Sequence, residues 1–186
     1  VVGAYGGILR TRDGGQSWQS VRGHLANPKS RHLYSLQRAG DQLFIVGEQG
    51  SVFRSRDAGE HFEPVATPYR GTFFGLQVQP GGVLMAYGLR GNVWRSGDDG
   101  QSWQALPTGQ PITVTAGTLD ADGRVVLVDE SGRVLRQRGE GLQPLRVPQP
   151  FAFTSVVTAA DGSLVLTGVR GSTRLSPEQL TASAQP

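Results

Sequence analysis

Three stretches of this 186-residue chain place a carboxylate two residues after a hydroxyl and two before a glycine, at one fixed spacing. Thr11-Arg12-Asp13-Gly14-Gly15-Gln16-Ser17-Trp18 reads hydroxyl-x-Asp-x-Gly-x-hydroxyl-aromatic, and Ser96-Gly97-Asp98-Asp99-Gly100-Gln101-Ser102-Trp103 repeats it in full. Between them, Ser55-Arg56-Asp57-Ala58-Gly59-Glu60-His61-Phe62 keeps the Asp and the Gly, with His61 for the second hydroxyl and Phe62 for the tryptophan. Such a set can hold a cation or be consumed by its own backbone. The Asp98-Asp99 pair invites calcium, but no spaced set of further oxygens joins it. An Asp facing the N–H groups just ahead of it, a Gly two places on at positive φ, and an aromatic folding back describe a tight hairpin turn. The octets are therefore read as structural, with Thr11, Asp13, Gly15, Ser17 and Trp18 in the first. Ser55, Asp57, Gly59 and Phe62 form the second, and Ser96, Asp98, Gly100, Ser102 and Trp103 the third.

The remaining chemistry is sparse. His24, His32 and His61 are scattered over different turns and strands, which argues against a metal site. With no cysteine, neither disulfides nor thiolate ligands arise. No Ser/His/Asp arrangement or phosphate-cradling glycine loop stands out, so no catalytic residue, metal or cofactor is assigned.

The residues ahead of the octets also recur. Gly6-Gly7-Ile8-Leu9-Arg10, Gly50-Ser51-Val52-Phe53-Arg54, Gly91-Asn92-Val93-Trp94-Arg95 and Gly132-Arg133-Val134-Leu135-Arg136 are followed by a worn fifth copy, Gly171-Ser172-Thr173-Arg174-Leu175. One unit of about forty residues repeats, a period that belongs to propellers and arrays. Each unit reads as four short strands joined by tight turns, one blade. The expected fold is all-β: a propeller of four-stranded antiparallel blades, with about four and a half blades present. A partial blade falls at 1–21 and blades at 32–66, 72–106, 112–146 and 152–176; 177–186 reads as a polar tail, mobile from 181. The chain opens inside a repeat, so a ring requires upstream sequence or a dimer of two arcs. Any signal peptide would lie upstream. The fourth unit has lost its octet, having only Arg138-Gly139-Glu140-Gly141 there.

The 18% charged fraction argues against disorder, and no apolar run reaches the roughly 20 residues that a bilayer span needs. A net charge of +3 without a basic cluster falls short of a phosphate-tracking stripe, which disfavours nucleic acid.

The octets resemble the Asp-box of bacterial neuraminidase (BNR) repeats, over about Val1 to Leu175. The run from Gly91 to Trp103 is most similar to the photosystem II stability and assembly factor family. That resemblance implies a seven-bladed, usually exported propeller that binds partner proteins and has no known active site. It places the chain outside the cytoplasm, in the periplasm of a bacterium. The function expected is a non-catalytic scaffold that aids the assembly or stability of a membrane-associated complex. The alternatives are a sialidase-like glycoside hydrolase and a carbohydrate-binding propeller. Sialidases carry an Arg-Ile-Pro motif that is absent here, and Tyr5, Tyr34, Tyr69 and Tyr87 come without a recognisable Glu partner.

In a propeller, the loops between strands two and three and between blades share one face. That face collects Arg22, Lys29, Arg31, Arg70, Arg90, Arg133 and Arg170 against Glu48, Asp129 and Glu130, while the other face is acidic. The candidate binding face comprises Arg31, Arg70, Arg90 and Arg170 with Tyr69 and Tyr87, suited to an acidic segment of a membrane protein. The arginines at 10, 54, 95 and 136 are expected to lie along their blades and pair with a neighbouring turn.

Overall fold

The structure, a computed structural model, describes residues 1–182. Seventeen strands and one short α-helix follow one another in chain order. The first sheet pairs β1 (Leu9–Arg10) with β2 (Gln19–Ser20), and Val2 bridges Ile8 as a third, outlying strand. The second contains β3 (Leu33–Ala39), β4 (Gln42–Gly47), β5 (Val52–Ser55) and β6 (Glu63–Val65). The third contains β7 (Phe73–Val78), β8 (Leu84–Gly88), β9 (Val93–Ser96) and β10 (Gln104–Leu106). The fourth contains β11 (Val114–Leu119), β12 (Val125–Asp129), β13 (Val134–Arg138) and β14 (Gly141–Leu145). The fifth holds β15 (Phe153–Thr158), β16 (Leu164–Gly168) and β17 (Gly171–Leu175), after which the chain enters α1 (Pro177–Ala182). Every sheet is an antiparallel meander in sequence order, and the fold is a partial propeller built from blades.

The second strand of each full blade is sandwiched on both faces, which is why it reads as an unbroken apolar run rather than an alternating one. All of β8 and β12 is buried. The first strand of each of the four later blades slips register at the same place, at Leu33/Ser35, Phe73/Gly75, Val114/Ala116 and Phe153/Ser155. A bulge repeated in this way bends each inner strand identically. Successive inner strands are cross-linked by side chains: Gln77 donates to the Gly117 carbonyl (2.7 Å), Thr115 to Phe153 (2.7 Å) and Thr158 to Leu119 (2.6 Å).

Apolar clusters lie between blades. Phe62 packs with Ile8, Val21 and Leu25 of the first unit, and Trp103 with Phe44 and Val65 of the second. Phe62 and Trp103 thus dock on the preceding blade. For Trp18 that preceding position is not among the 186 residues, and it is 47% exposed.

The C-terminal stretch differs from the expected polar tail. Pro177–Ala182 forms a helix, and Leu180 joins the cluster of Phe153, Leu164 and Leu175. One buried leucine in a polar sequence is enough to dock a single helical turn. The end of the expected tail, 183–186, lies outside the described residues.

Candidate functional site

The octets are built as turns. Asp13 Oδ1 accepts from the Ser17 N–H (2.9 Å), Oδ2 from its hydroxyl (2.5 Å), and Thr11 Oγ1 accepts from the Gly15 N–H (2.9 Å). Asp98, Ser102, Ser96 and Gly100 repeat these bonds at 2.9, 2.6 and 2.9 Å. In the middle octet the His61 imidazole takes over from the serine hydroxyl, with Nδ1 2.8 Å from Asp57 Oδ2. Gly15, Gly59 and Gly100 adopt φ of 95°, 87° and 82°. Trp18 and Trp103 donate their indole N–H to the Gly15 and Gly100 carbonyls, both at 3.1 Å. Hydrogen bonds from the Ser17 and Ser102 side chains, then from their N–H groups, hold Asp13 and Asp98 below the usual carboxylate range, Asp98 at about 2. The His61 N–H leads the same effect at Asp57. Carboxylates committed in this way have little capacity left for a cation. Among the described residues no group of three or more His, Asp or Glu is placed to hold a metal ion.

The loop face carries two grooves. The first, about 510 Å³, lies between the first and second blades, with Lys29, Arg31, Gln49 and Arg70 at its rim and Val52 and Phe53 deeper in. The second, about 600 Å³, lies between the second and third blades and is lined by Tyr69, Arg70, Leu89, Arg90, Asn92 and Trp94. Arg70 borders both, and among the described residues no carboxylate lines either. The Tyr69 hydroxyl donates to the Leu89 carbonyl (3.1 Å), and its ring lies 4.8 Å from Phe73 and 6.3 Å from Trp94. Burial pushes the Tyr69 hydroxyl up in pKa. The Trp94 indole N–H is buried without a hydrogen-bond partner.

Backbone geometry fixes this rim. The loops between second and third strands carry short 3₁₀ turns, Glu48–Gly50 and Leu89–Gly91, in which Gln49 and Arg90 sit at φ of 54° and 56°. The next position must be glycine: Gly50 has φ of 69°, and a Cβ there would lie 1.9 Å from the Tyr69 carbonyl oxygen. Left-handed arginine is uncommon and mildly strained, and it aims the Arg90 side chain outward.

The candidate residues divide. Arg70 and Arg90 are exposed and share a groove with Tyr69. Arg31 is half-buried, donating Nη1 to Ser51 Oγ at 3.0 Å. Arg170 is exposed on the β16–β17 loop, in neither groove. Tyr87 does not belong to the face: it is 5% exposed and fills the space that Gly75 and Gly117 leave free. Its residue type suggested a face residue, whereas β8 is the fully enclosed strand. Arg133 is spent on Asp129 (2.7 Å) and the Thr108 carbonyl (2.9 Å). Lys29, Gln49, Phe53 and Trp94 were not singled out as site residues by sequence reasoning, since nothing marks a groove between non-repeating loops.

With this geometry in place, comparison with known proteins is informative. The family model of the photosynthesis system II assembly factor YCF48 matches residues 1–136. The chain belongs to the YCF48 family. A search of curated proteins finds no match. Among solved structures, YCF48 bound to a D1 peptide superposes with a TM-score of 0.77 at 21% identity, covering 95% of this chain and 59% of that one. YCF48 from Cyanidioschyzon merolae gives a TM-score of 0.74 at 16% identity, covering 95% and 62%. A streptogramin B lyase gives 0.76 at 12% identity, covering 96% and 65%. These likenesses show the fold, and the chain spans about three-fifths of the YCF48 structures. Among the family's fold neighbours are enzymes as well as assembly factors.

Proposed function

We propose that this YCF48-family chain is a non-catalytic, extracytoplasmic scaffold that binds an acidic segment of a membrane protein and aids assembly or stability of its complex. The carrying observation is Arg70, flanked by two grooves whose linings bring in Lys29, Arg31 and Arg90 and no carboxylate. Planar guanidinium forks suit carboxylates, and the Tyr69 and Trp94 rings supply apolar contact between them. The family match supports the reading, and the solved YCF48 holds a peptide of D1.

The test is capture of membrane-protein partners by the tagged chain, with and without Arg70→Glu and Arg90→Glu. The double variant keeps its thermal transition and loses the partner; unchanged capture overturns the proposal. Steering by these charges also makes association fall as salt rises.

One observation favours glycan hydrolysis as a second reading. Burial, and then the Glu48 charge, raise the pKa of the Tyr34 hydroxyl, a tyrosine with a carboxylate nearby. Glu48 Oε2 is occupied by the His32 N–H at 2.8 Å, which leaves a poor base. Turnover of a fluorogenic sialoside, abolished by Tyr34→Phe, would establish that reading.

A further inference from the structure

The arginines at 10, 54, 95 and 136 occupy the same place, four residues after the loop-face glycine on the third strand of each blade. The first two reach into the octet turn of the following blade. Arg10 Nη1 lies 2.7 Å from Glu60 Oε1, and Arg54 Nη1 donates to the Asp99 carbonyl at 3.1 Å. In both cases the oxygen comes from a polypeptide turn packed on the octet face. The fourth blade has lost its octet, and in the fifth β17 runs directly into α1. Among the described residues, the side chains of Arg95 and Arg136 accordingly have neither a hydrogen bond nor an ion pair, and Arg95 Nε is buried.

Arg136 opens onto a groove of about 300 Å³. Arg124, Arg138 and Gln143 line it with Pro144 and Leu145, and among the described residues no carboxylate does. Arg124 is neutralised by Asp120 (2.9 Å) and Asp122. Arg138 gives one N–H to Gln143 Oε1 at 3.1 Å and is otherwise exposed. Two permanently charged forks thus face one space that Pro144 and Leu145 line on its apolar side.

We propose that this groove, on the face opposite the basic loops, docks a carboxylate-bearing turn of a second partner protein. The turn occupies against Arg136 the place that an octet turn occupies against Arg10 and Arg54. A carboxylate can engage the Arg136 fork through two parallel bonds while its aliphatic stem lies on Pro144 and Leu145. A nucleic-acid strand fits less well, because the lining has no aromatic for bases to stack on.

The test is titration of the ¹⁵N-labelled chain with the blocked peptide Gly-Asp-Glu-Gly-Asp-Glu-Gly. It is run on the parent, on Arg136→Gln/Arg138→Gln and on Arg70→Glu/Arg90→Glu. The peptide shifts amides of residues 136–145 saturably in the parent and equally in the loop-face variant, so this site stands or falls separately from the loop face. Affinity at these amides falls about tenfold or more in Arg136→Gln/Arg138→Gln. Arg136→Lys, which keeps charge without the fork, recovers part of it. Amides 136–145 that do not respond, a response that survives Arg136→Gln/Arg138→Gln, or tighter binding of an oligothymidylate of equal charge would each overturn the proposal.

Discussion

The first three blades and the last two solve one problem in different ways. In the early blades an aspartate closes each outer turn through hydroxyl and backbone N–H groups, and in the second and third of them Phe62 and Trp103 pin the turn to a neighbour. In the fourth and fifth blades the aspartates move to the hairpins around the second strand and recruit arginine instead. Asp120 Oδ1 accepts the Arg124 N–H (2.9 Å) and Oδ2 its Nε (2.9 Å); Asp129 does the same with Arg133 at 3.0 and 2.7 Å. Asp161 takes the Ser163 N–H at 3.1 Å and pairs with Arg174. The blade thus tolerates loss of its turn motif when another carboxylate satisfies the local backbone donors.

The comparison is broken most severely through the core. If the late blades are held by burial, Phe153→Ala, which empties a fully enclosed site between the fourth and fifth blades, costs about 3–5 kcal/mol by urea denaturation. A loss equal to that of an exposed substitution would show those blades to be loosely packed. Next comes Asp129→Ala. This side chain is fully buried and accepts from the Ser131 and Arg133 N–H groups and from the Arg133 fork. Leaving those donors unpaired costs about 1–3 kcal/mol, measured the same way.

Acid should act less drastically, at the octet turns. Asp13, Asp57 and Asp98 have carboxyl pKa values lowered in the folded state, so their ionised form favours folding. That contribution is complete above pH about 4 and is lost as the pH falls toward Asp98's value of about 2. Amide exchange followed from pH 5 to pH 2.5 should show the octet turns opening ahead of the second strands β8 and β12. Uniform opening would contradict the assignment.

How far the sequence foretold this follows from the same contrast. The blades were legible because glycine, strand and octet recur together, and the recurrence survives loss of any one element. The loop-face cations Arg70 and Arg90 were legible as a charge count, but their grooves were not. The second groove depends on Tyr69 of an inter-blade loop meeting Trp94 of β9, a contact that no sequence pattern marks. Tyr87 was misplaced for a related reason: the glycines that receive its ring, Gly75 and Gly117, lie on neighbouring strands whose register the chain does not spell out. The Asp-x-x-Gly-Arg spacing at Asp120–Arg124 and Asp129–Arg133 did carry a signal, which a count of loop-face charges does not use.

The smallest expected effect sharpens the comparison within the octets themselves. Trp18 and Trp103 make the same indole bond at 3.1 Å, yet of the two only Trp103 joins a cluster between the described blades. Trp103→Ala therefore removes inter-blade burial against Phe44 and Val65, whereas Trp18→Ala in this chain removes a half-exposed ring and shifts the transition little. The difference turns on the surface ahead of Trp18. Placed in a chain with further blades upstream, Trp18→Ala should cost as much as Trp103→Ala; if it stays silent there, the octet aromatic staples its own turn rather than the joint between blades.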